Sequence, residues 1–190
     1  FSAWSLSAPP DYMVVSLTAA HVVNYYTCAE NVPLGVSNDL YKTEYLVMRK
    51  IPAANVQWRM GSPTTENGRM ESCETPHVIT LSRDYYIGVY PVTQRQYELL
   101  MNARFSYFYR DEDYATRPME RISYEELRGE AGNGFDWPND GHAVKTDGFI
   151  DKLRKHSGLD GFDLPTEAQW EFACRAGCGA ALYDGQDIED

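Results

Sequence analysis

One stretch of the sequence decides the fold, and it is residues 163–177, DLPTEAQWEFACRAG. Thr166 and Gln169 have the spacing of a capping box, in which the threonine oxygen accepts from the third backbone amide and the glutamine side chain bonds back to the cap. Pro165 fixes the backbone just before this start. We therefore predict a helix that begins after Thr166 and ends near Gly177, because glycine adopts the left-handed conformation of helix ends without strain.

The buried face of this helix is predicted from the spacing of its apolar residues. Trp170, Ala173 and Cys174 lie on one side of a helix with about 3.6 residues per turn. We expect Trp170 to bury its large ring. The helix is expected to pack through this face onto the strands that contain Met60 and Ile87.

Three further helices are predicted upstream. Two capping boxes open after Thr93 and Ser123, each with Gln or Glu three residues later. The third helix is predicted from Asp147 to His156, with Gly158 as its stop. Its buried face is expected to be Phe149, Ile150 and Leu153.

Short strands rich in β-branched and aromatic residues come before the helices. They are predicted at Asp11–Leu17, Tyr45–Ile51, Val56–Met60, His77–Leu81 and Tyr85–Tyr90. The order of strands and helices indicates an α+β fold with irregular connections. We divide the chain into a β-rich N-terminal extension and linker, residues 1–44, and a domain, residues 45–190.

Composition excludes two classes of partner. Lys and Arg number 17 against 28 Asp and Glu, so the net charge is −11 and a phosphate backbone would be repelled. We therefore expect no nucleic-acid partner. No apolar run approaches the roughly 20 residues that span a bilayer, so we expect no membrane span.

Several motifs occur in a fixed order along the chain. They are Met60–Pro63, Glu74–Val78, Tyr86–Gly88, Val92–Tyr97, Pro118, Ile122–Tyr124 and the stretch 163–177. In order and spacing they resemble the formylglycine-generating enzyme (sulfatase-modifying factor) domain, from about Tyr45 to Asp190. The residues of the structural signature are Leu164, Pro165, Thr166, Glu167, Trp170, Glu171, Arg175 and Gly177.

The resemblance implies a fold related to C-type lectins, with short strands, few helices and much irregular chain. In the oxidase members of the family a pair of cysteines binds copper, and calcium-binding residues are also present. Both sets belong to family segments that follow the part matched here, so we expect an incomplete domain that holds no catalytic, cofactor-binding or metal-binding residue of that kind. One departure from the family pattern is Asp163, which stands where the signature has Arg and must change the local electrostatics.

Cysteines and histidines offer little local metal chemistry. The four cysteines are Cys28, Cys73, Cys174 and Cys178. Four cysteines allow three disulfide pairings, which the sequence leaves open. Thiolates suit Cu(I), but Cys174 is predicted to be a buried helix residue instead. His21, His142 and His156 show no ligand spacing, and His77 is interpreted as structural.

Three further features have competing interpretations. Residues 136–141, DWPNDG, are rich in oxygen ligands but lack the EF-hand order, so a turn is favoured over calcium binding. Glu167 and Glu171 could form an acid–base pair, although Glu167 is explained by the helix dipole. The aromatic cluster of residues 105–109, FSYFY, is either core or an exposed contact for carbohydrate or peptide, and we expect core.

Two functions follow from the resemblance. The full-length protein is expected to be a formylglycine-generating-type oxidase, which converts a substrate cysteine with copper and oxygen. A related iron-dependent sulfoxide synthase would need a separate His-rich domain, which counts against it. The alternative is a non-catalytic module, secreted or on the cell surface, that binds a protein or glycan. The β-rich extension and the acidic, Tyr-rich composition fit this module slightly better.

We predict that the 190 residues alone do not oxidise cysteine. The reason is that the family segments with the copper ligands are not among them. The measurement is incubation with a sulfatase-type cysteine peptide, copper and oxygen, followed by mass spectrometry. Formation of formylglycine would refute the prediction.

Overall fold

The computed structural model describes residues 10–138, 141 and 143–178. The chain divides into two compact units. Unit 1 takes Phe1–Lys50 and Gly88–Asp163, and unit 2 takes Ile51–Ile87 and Leu164–Asp190. The predicted positions of Asn139, Asp140, His142 and residues 179–190 lie outside the described part.

Six strands are present among the described residues. They are β1 (Tyr12–Ser16), β2 (Val23–Tyr26), β3 (Tyr45–Ile51), β4 (Gln57–Met60), β5 (His77–Thr80) and β6 (Tyr85–Gly88). Five confirm the predicted strands: β3 has the predicted bounds, and the other four are one or two residues shorter. The sequence analysis missed β2, because its four residues carry no clear alternation and it forms by pairing with β1.

Five helices are present among the described residues. They are α1 (Leu40–Thr43), α2 (Gln94–Met101), α3 (Tyr124–Leu127), α4 (Phe149–Ser157) and α5 (Glu167–Arg175), with 3-10 turns at Ala29–Asn31 and Tyr114–Thr116. The predicted capping boxes at Thr93, Ser123 and Thr166 are confirmed, each with both reciprocal bonds. The short helix α1 was not predicted. Within the described residues no helix is long and apolar enough to cross a membrane.

The sheet of unit 1 is antiparallel, with β1 between β2 and β3. Val14 pairs with Val47 of β3 on one side and with Asn24 of β2 on the other. Val14 and Val47 form a core cluster with Val32 and Tyr41. Antiparallel sheets with separate helices make the chain an α+β protein. The predicted boundary at residues 44 and 45 stays a prediction, although β1 of the expected extension pairs with β3.

Helices α2 and α4 complete the core of unit 1. The ring of Tyr97, 1% exposed, stacks on Phe149 with centroids 5.3 Å apart. The expected buried face of α4, which includes Phe149, is confirmed. The side-chain amide of Gln96, a capping-box residue, donates to the carbonyls of Tyr41 and Tyr45 at 3.0 and 2.7 Å. One side chain therefore caps α2 and ties it to α1 and β3.

Unit 1 contains a buried ion cluster around Asp163. Arg128 is 0% exposed, and its guanidinium donates to both carboxylate oxygens of Asp163, at 2.7 and 3.1 Å. Arg154 donates to the same carboxylate at 3.0 Å. Arg128 also donates to the Phe135 carbonyl and lies over the Trp137 ring. Asp163 is thus the anion that buried Arg128 and partly buried Arg154 share.

Unit 2 contains the antiparallel pair β4–β5 and helix α5. Trp58 and Met60 point inward from β4, while Gln57 and Arg59 are exposed, which confirms the alternation predicted for this strand. The Tyr85 hydroxyl donates to the Gln169 carbonyl in the first turn of α5, at 2.5 Å. Burial raises the pKa of Tyr85 to about 12, so the hydroxyl keeps its proton, and this bond, at about pH 10, where an ordinary tyrosine is half ionised.

Removing the Asp163 charge should destabilise the protein strongly. Asp163→Asn leaves Arg128 buried without its counter-ion, a change that costs about 3 kcal/mol or more in proteins. The measurement is urea unfolding of the full chain. The matched control is Asp39→Asn, which breaks the exposed Lys42 pair and should cost under about 0.5 kcal/mol. Equal losses in the two variants would contradict the role given to Asp163.

Candidate functional site

The signature helix α5 is held through its polar residues. Oε1 of Glu171 accepts from the Gly61 amide at 2.9 Å and from Nε of Arg175 at 2.7 Å. Nη2 of Arg175 donates to the Gly61 carbonyl at 3.1 Å. The two side chains therefore satisfy both backbone groups of Gly61. Glu171 is occupied by this contact, which explains the residue without an acid–base role.

Gly61 is the residue that the contact requires. Its φ of +93° is in the left-handed region, and a Cβ there would lie 2.9 Å from the carbonyl oxygens of Glu74 and Thr75. The Ser62 amide donates to the Glu74 carbonyl at 3.0 Å. Three motifs that are far apart in sequence, at residues 60–63, 74–78 and 164–177, thus meet at one glycine.

The predicted buried face of α5 is wrong. Trp170 is 57% exposed and Cys174 is also exposed, whereas Phe172 packs on Trp58 with ring centroids 5.4 Å apart. Phe172 lies about 200° around the helix from Trp170, at about 100° per residue. The contacts of Phe172, Glu171 and Arg175 turn that side toward β4, so Trp170 points away from it.

The remaining signature residues lie at the two ends of α5. Thr166 is the cap, and its Oγ1 accepts from the Gln169 amide at 3.2 Å. Leu164 is half-buried, while Pro165 and Glu167 are exposed. The helix ends at Arg175, its cap residue Ala176 is left-handed, and Gly177 also has a positive φ. The expected left-handed end at Gly177 is therefore displaced by one residue.

A second candidate site is the aromatic loop, residues 105–109, in unit 1. The expectation that this cluster is core is wrong. Tyr107 is 69%, Phe105 52% and Phe108 44% exposed, and Ser106 is the residue that turns inward. The chain turns at residues 107–110, and the adjacent side chains of Tyr107 and Phe108 both face solvent. Exposed aromatic side chains gathered in one place mark interaction sites more often than isolated ones do.

The aromatic loop is held in place by residues outside it. Oε1 of Glu120 accepts from the amides of Tyr107 and Phe108, at 2.5 and 3.3 Å. The Ser106 hydroxyl donates to the sulfur of Met119 at 3.0 Å. Phe105 makes an edge contact with the buried ring of Tyr97. The backbone that carries the rings is therefore anchored, although the rings themselves face solvent.

Charged residues surround the aromatic loop. The Arg117 guanidinium lies 5.2 Å from the Phe108 ring and pairs with Asp111 and Asp113 at 3.2 and 2.7 Å. The hydrogen bond from Arg117 lowers the pKa of Asp113. Arg110 lies over Tyr109. These contacts leave the ring of Tyr107 as the most open surface of the loop.

Arg104 ties the other side of the aromatic loop to α2. It donates to Glu98 at 2.7 Å and lies 4.7 Å from the Tyr114 ring. Burial alone would raise the pKa of Glu98, but bonds from Arg104 and Arg95 outweigh burial, and the pKa is lowered. Glu98 therefore stays ionised and keeps Arg104 in place at neutral pH.

Metal chemistry finds no support in the described residues. Within residues 10–138, 141 and 143–178, no group of three or more His, Cys, Asp or Glu side chains could hold a metal ion. Cys28, Cys73 and Cys174 carry free thiols, and Cys174 is exposed rather than buried as expected. His77 is exposed and bonds the Thr75 carbonyl within its own turn. Asp136 accepts from the Gly132 amide of the preceding turn, and the turn interpretation of residues 136–141 stays a prediction, since Asn139 and Asp140 lie outside the described part.

Sequence analysis missed three sets of contacts. Glu120 carries no local signal, because its contacts lie 12 and 13 residues away. The partners of Asp163 are also distant in sequence, since Arg128 lies 35 residues and Arg154 nine residues before it. Arg175 was included in the signature, but its pairing with Glu171 was not predicted, although a spacing of four residues is that of a helical ion pair.

Comparison with known proteins identifies the family. The sequence model of the sulfatase-modifying factor enzyme 1-like domain matches residues 44–190. No curated protein and no solved structure matches the chain. The matched range includes the Gly61 contact, the aromatic loop and the Asp163 cluster.

Breaking the Glu171 contact should loosen unit 2. Glu171→Ala removes the acceptor of the Gly61 amide and of Arg175, and we expect a loss of about 1–3 kcal/mol in chemical unfolding. Glu167→Ala in the first turn of the same helix should cost about 0.5 kcal/mol, since that exposed residue supplies the dipole interaction alone. Glu171→Gln keeps the acceptor oxygen and should fall between the two. The role fails if Glu171→Ala is no more costly than Glu167→Ala.

Proposed function

Because the chain belongs to the sulfatase-modifying factor enzyme 1-like domain family, we propose that it works as a ligand-binding domain built on that scaffold. The observation that carries the proposal is the aromatic loop, residues 105–109, whose rings are exposed on an anchored backbone. A loop that is already ordered loses little conformational entropy when its rings are covered. A protein or glycan is the class of ligand proposed for it.

The signature residues support a scaffold role. Glu171 and Arg175 are engaged with Gly61, and Thr166 is engaged as a helix cap. Residues that are fully used in holding the backbone are explained without catalysis. We extend the proposal to a C-type-lectin-like fold for the family domain and to a secreted or cell-surface location, both of which rest on the resemblance.

The second candidate is an oxidase of substrate cysteine, formed by a longer polypeptide that includes this chain. The observation that favours it is the family match itself. Copper would supply the oxidation chemistry there. Cys174 and Cys178 have no third ligating side chain beside them among the described residues. They do not fit a metal site of three or more ligands, and no copper or calcium ligand is assigned to this chain.

The binding proposal is tested by removing the open rings. We expect the protein to retain ligands from a glycan array or a random peptide library, and the double variant Tyr107→Ala, Phe108→Ala to lose them by about tenfold or more, as central aromatic contacts do. Tyr25→Ala, which removes an exposed tyrosine of β2, is the matched control and should bind normally. Binding that survives in the double variant, or no binding to either library, contradicts the proposal.

A further inference from the structure

We propose that the aromatic loop takes a basic, apolar peptide segment of a partner protein; this rests on the proposed function that the loop is a binding site. The segment would place an apolar side chain against Tyr107 and Lys or Arg near the carboxylates that follow the loop. Neither the family match nor any signature motif assigns a ligand to these residues.

The side-chain types around the loop are those of a protein interface. Tyr, Phe and Arg are enriched at interface centres, where they supply most of the binding energy. Residues 104–117 contain three arginines in ring contacts, namely Arg104, Arg110 and Arg117. Tyr107, at 69% exposed, is the ring with most surface to bury. A peptide side chain laid on this ring would remove that apolar surface from water.

Anchoring of the loop lowers the cost of recognition. Glu120 holds the amides of Tyr107 and Phe108, and the Tyr107 ring makes an edge contact with Phe108, with centroids 5.0 Å apart. Tyrosine has few rotatable bonds, so little side-chain entropy is lost when it is covered. The loop is therefore a pre-arranged surface, and binding need not fold it first.

The negative charge of the protein favours a positively charged partner. Unit 1, which carries the loop, has 13 Lys and Arg against 18 Asp and Glu, a net charge of −5, and Asp111, Glu112 and Asp113, all exposed, come after Arg110 at the end of the loop. Arg117 pairs with Asp111 and Asp113. Glu112 makes no ion pair within the part of the chain that the structure describes. A cationic segment is drawn toward such a surface by the field of the protein, while an acidic one is repelled.

A neutral glycan is the competing ligand for exposed aromatic rings. It would use the ring faces but would gain nothing from the negative field, since it carries no charge. The net charge of −5 on unit 1 therefore favours the basic peptide over the glycan. The two ligands also differ in their response to salt, because screening shortens the reach of charge–charge attraction and leaves ring contacts unaffected.

The test uses the full chain and four probes: short synthetic peptides alternating Leu with Lys, Leu with Glu, and Ser with Lys, and the neutral sugar cellohexaose. We expect the Leu–Lys peptide to bind about tenfold more tightly than each of the others, because it alone combines apolar and basic groups. Its affinity should fall between about 0.1 M and about 1 M salt, where the Debye length shrinks from about 10 Å to about 3 Å.

Variants locate the binding. Tyr107→Ala should weaken the Leu–Lys peptide by about tenfold, as loss of a central aromatic does, and Tyr25→Ala should leave it unchanged. Glu112→Gln should slow association at low salt and not at high salt. Circular dichroism of each variant checks the fold, and Phe108→Ala gives an independent second removal of a ring.

Each outcome has a distinct meaning. Equal binding of the Leu–Glu peptide, or an affinity that ignores salt, overturns the basic partner. Cellohexaose binding that Tyr107→Ala abolishes, with no such peptide binding, overturns this inference and leaves the proposed function standing. If no probe depends on Tyr107 or Phe108, the inference and the proposed function both fail.

Discussion

A carboxylate oxygen shared between a backbone amide and a guanidinium organises unit 2. Glu171 Oε1 accepts from Gly61 and from Arg175, and Arg175 returns a bond to the carbonyl of Gly61. The glycine has no room for a side chain, because the carbonyls of Glu74 and Thr75 fill that space. The turn at Gly61, the loop at Glu74 and Thr75 and helix α5 are consequently held together by polar contacts to backbone groups. The side chains that make these contacts, Glu171 and Arg175, are only partly buried.

Unit 1 relies on a different device, a buried ion cluster. Asp163 lies between Arg128 and Arg154 with its side chain 3% exposed. A buried guanidinium cannot lose its proton, so its counter-ion must stay. Asp163, Arg128 and Arg154 therefore form one interdependent set. Changing one member alone would leave a charge without its partner.

Local rules predicted the parts of the fold that depend on neighbours in sequence. The capping boxes at Thr93 and Thr166 were predictable because the bonding atoms are three residues apart. The face of α5 was not, because both Trp170 and Phe172 are apolar and the periodicity allows either to face inward. The contact between Phe172 and Trp58 of β4 decides that Phe172 faces inward. The prediction that the aromatic loop is buried was wrong for a similar reason. Composition does not reveal that Glu120, which is distant in sequence, binds the backbone of the loop.

The orientation of α5 also governs how the cysteines meet reagents. Cys174 shares the outer side of the helix with Trp170, and Cys73 is exposed in the loop before β5. Cys28 and Cys178 are partly covered. Thiol reactivity follows access to solvent as well as thiolate fraction. An alkylating agent added to the native protein will thus modify Cys73 and Cys174 first, so a dye can be attached beside Trp170 without unfolding the chain.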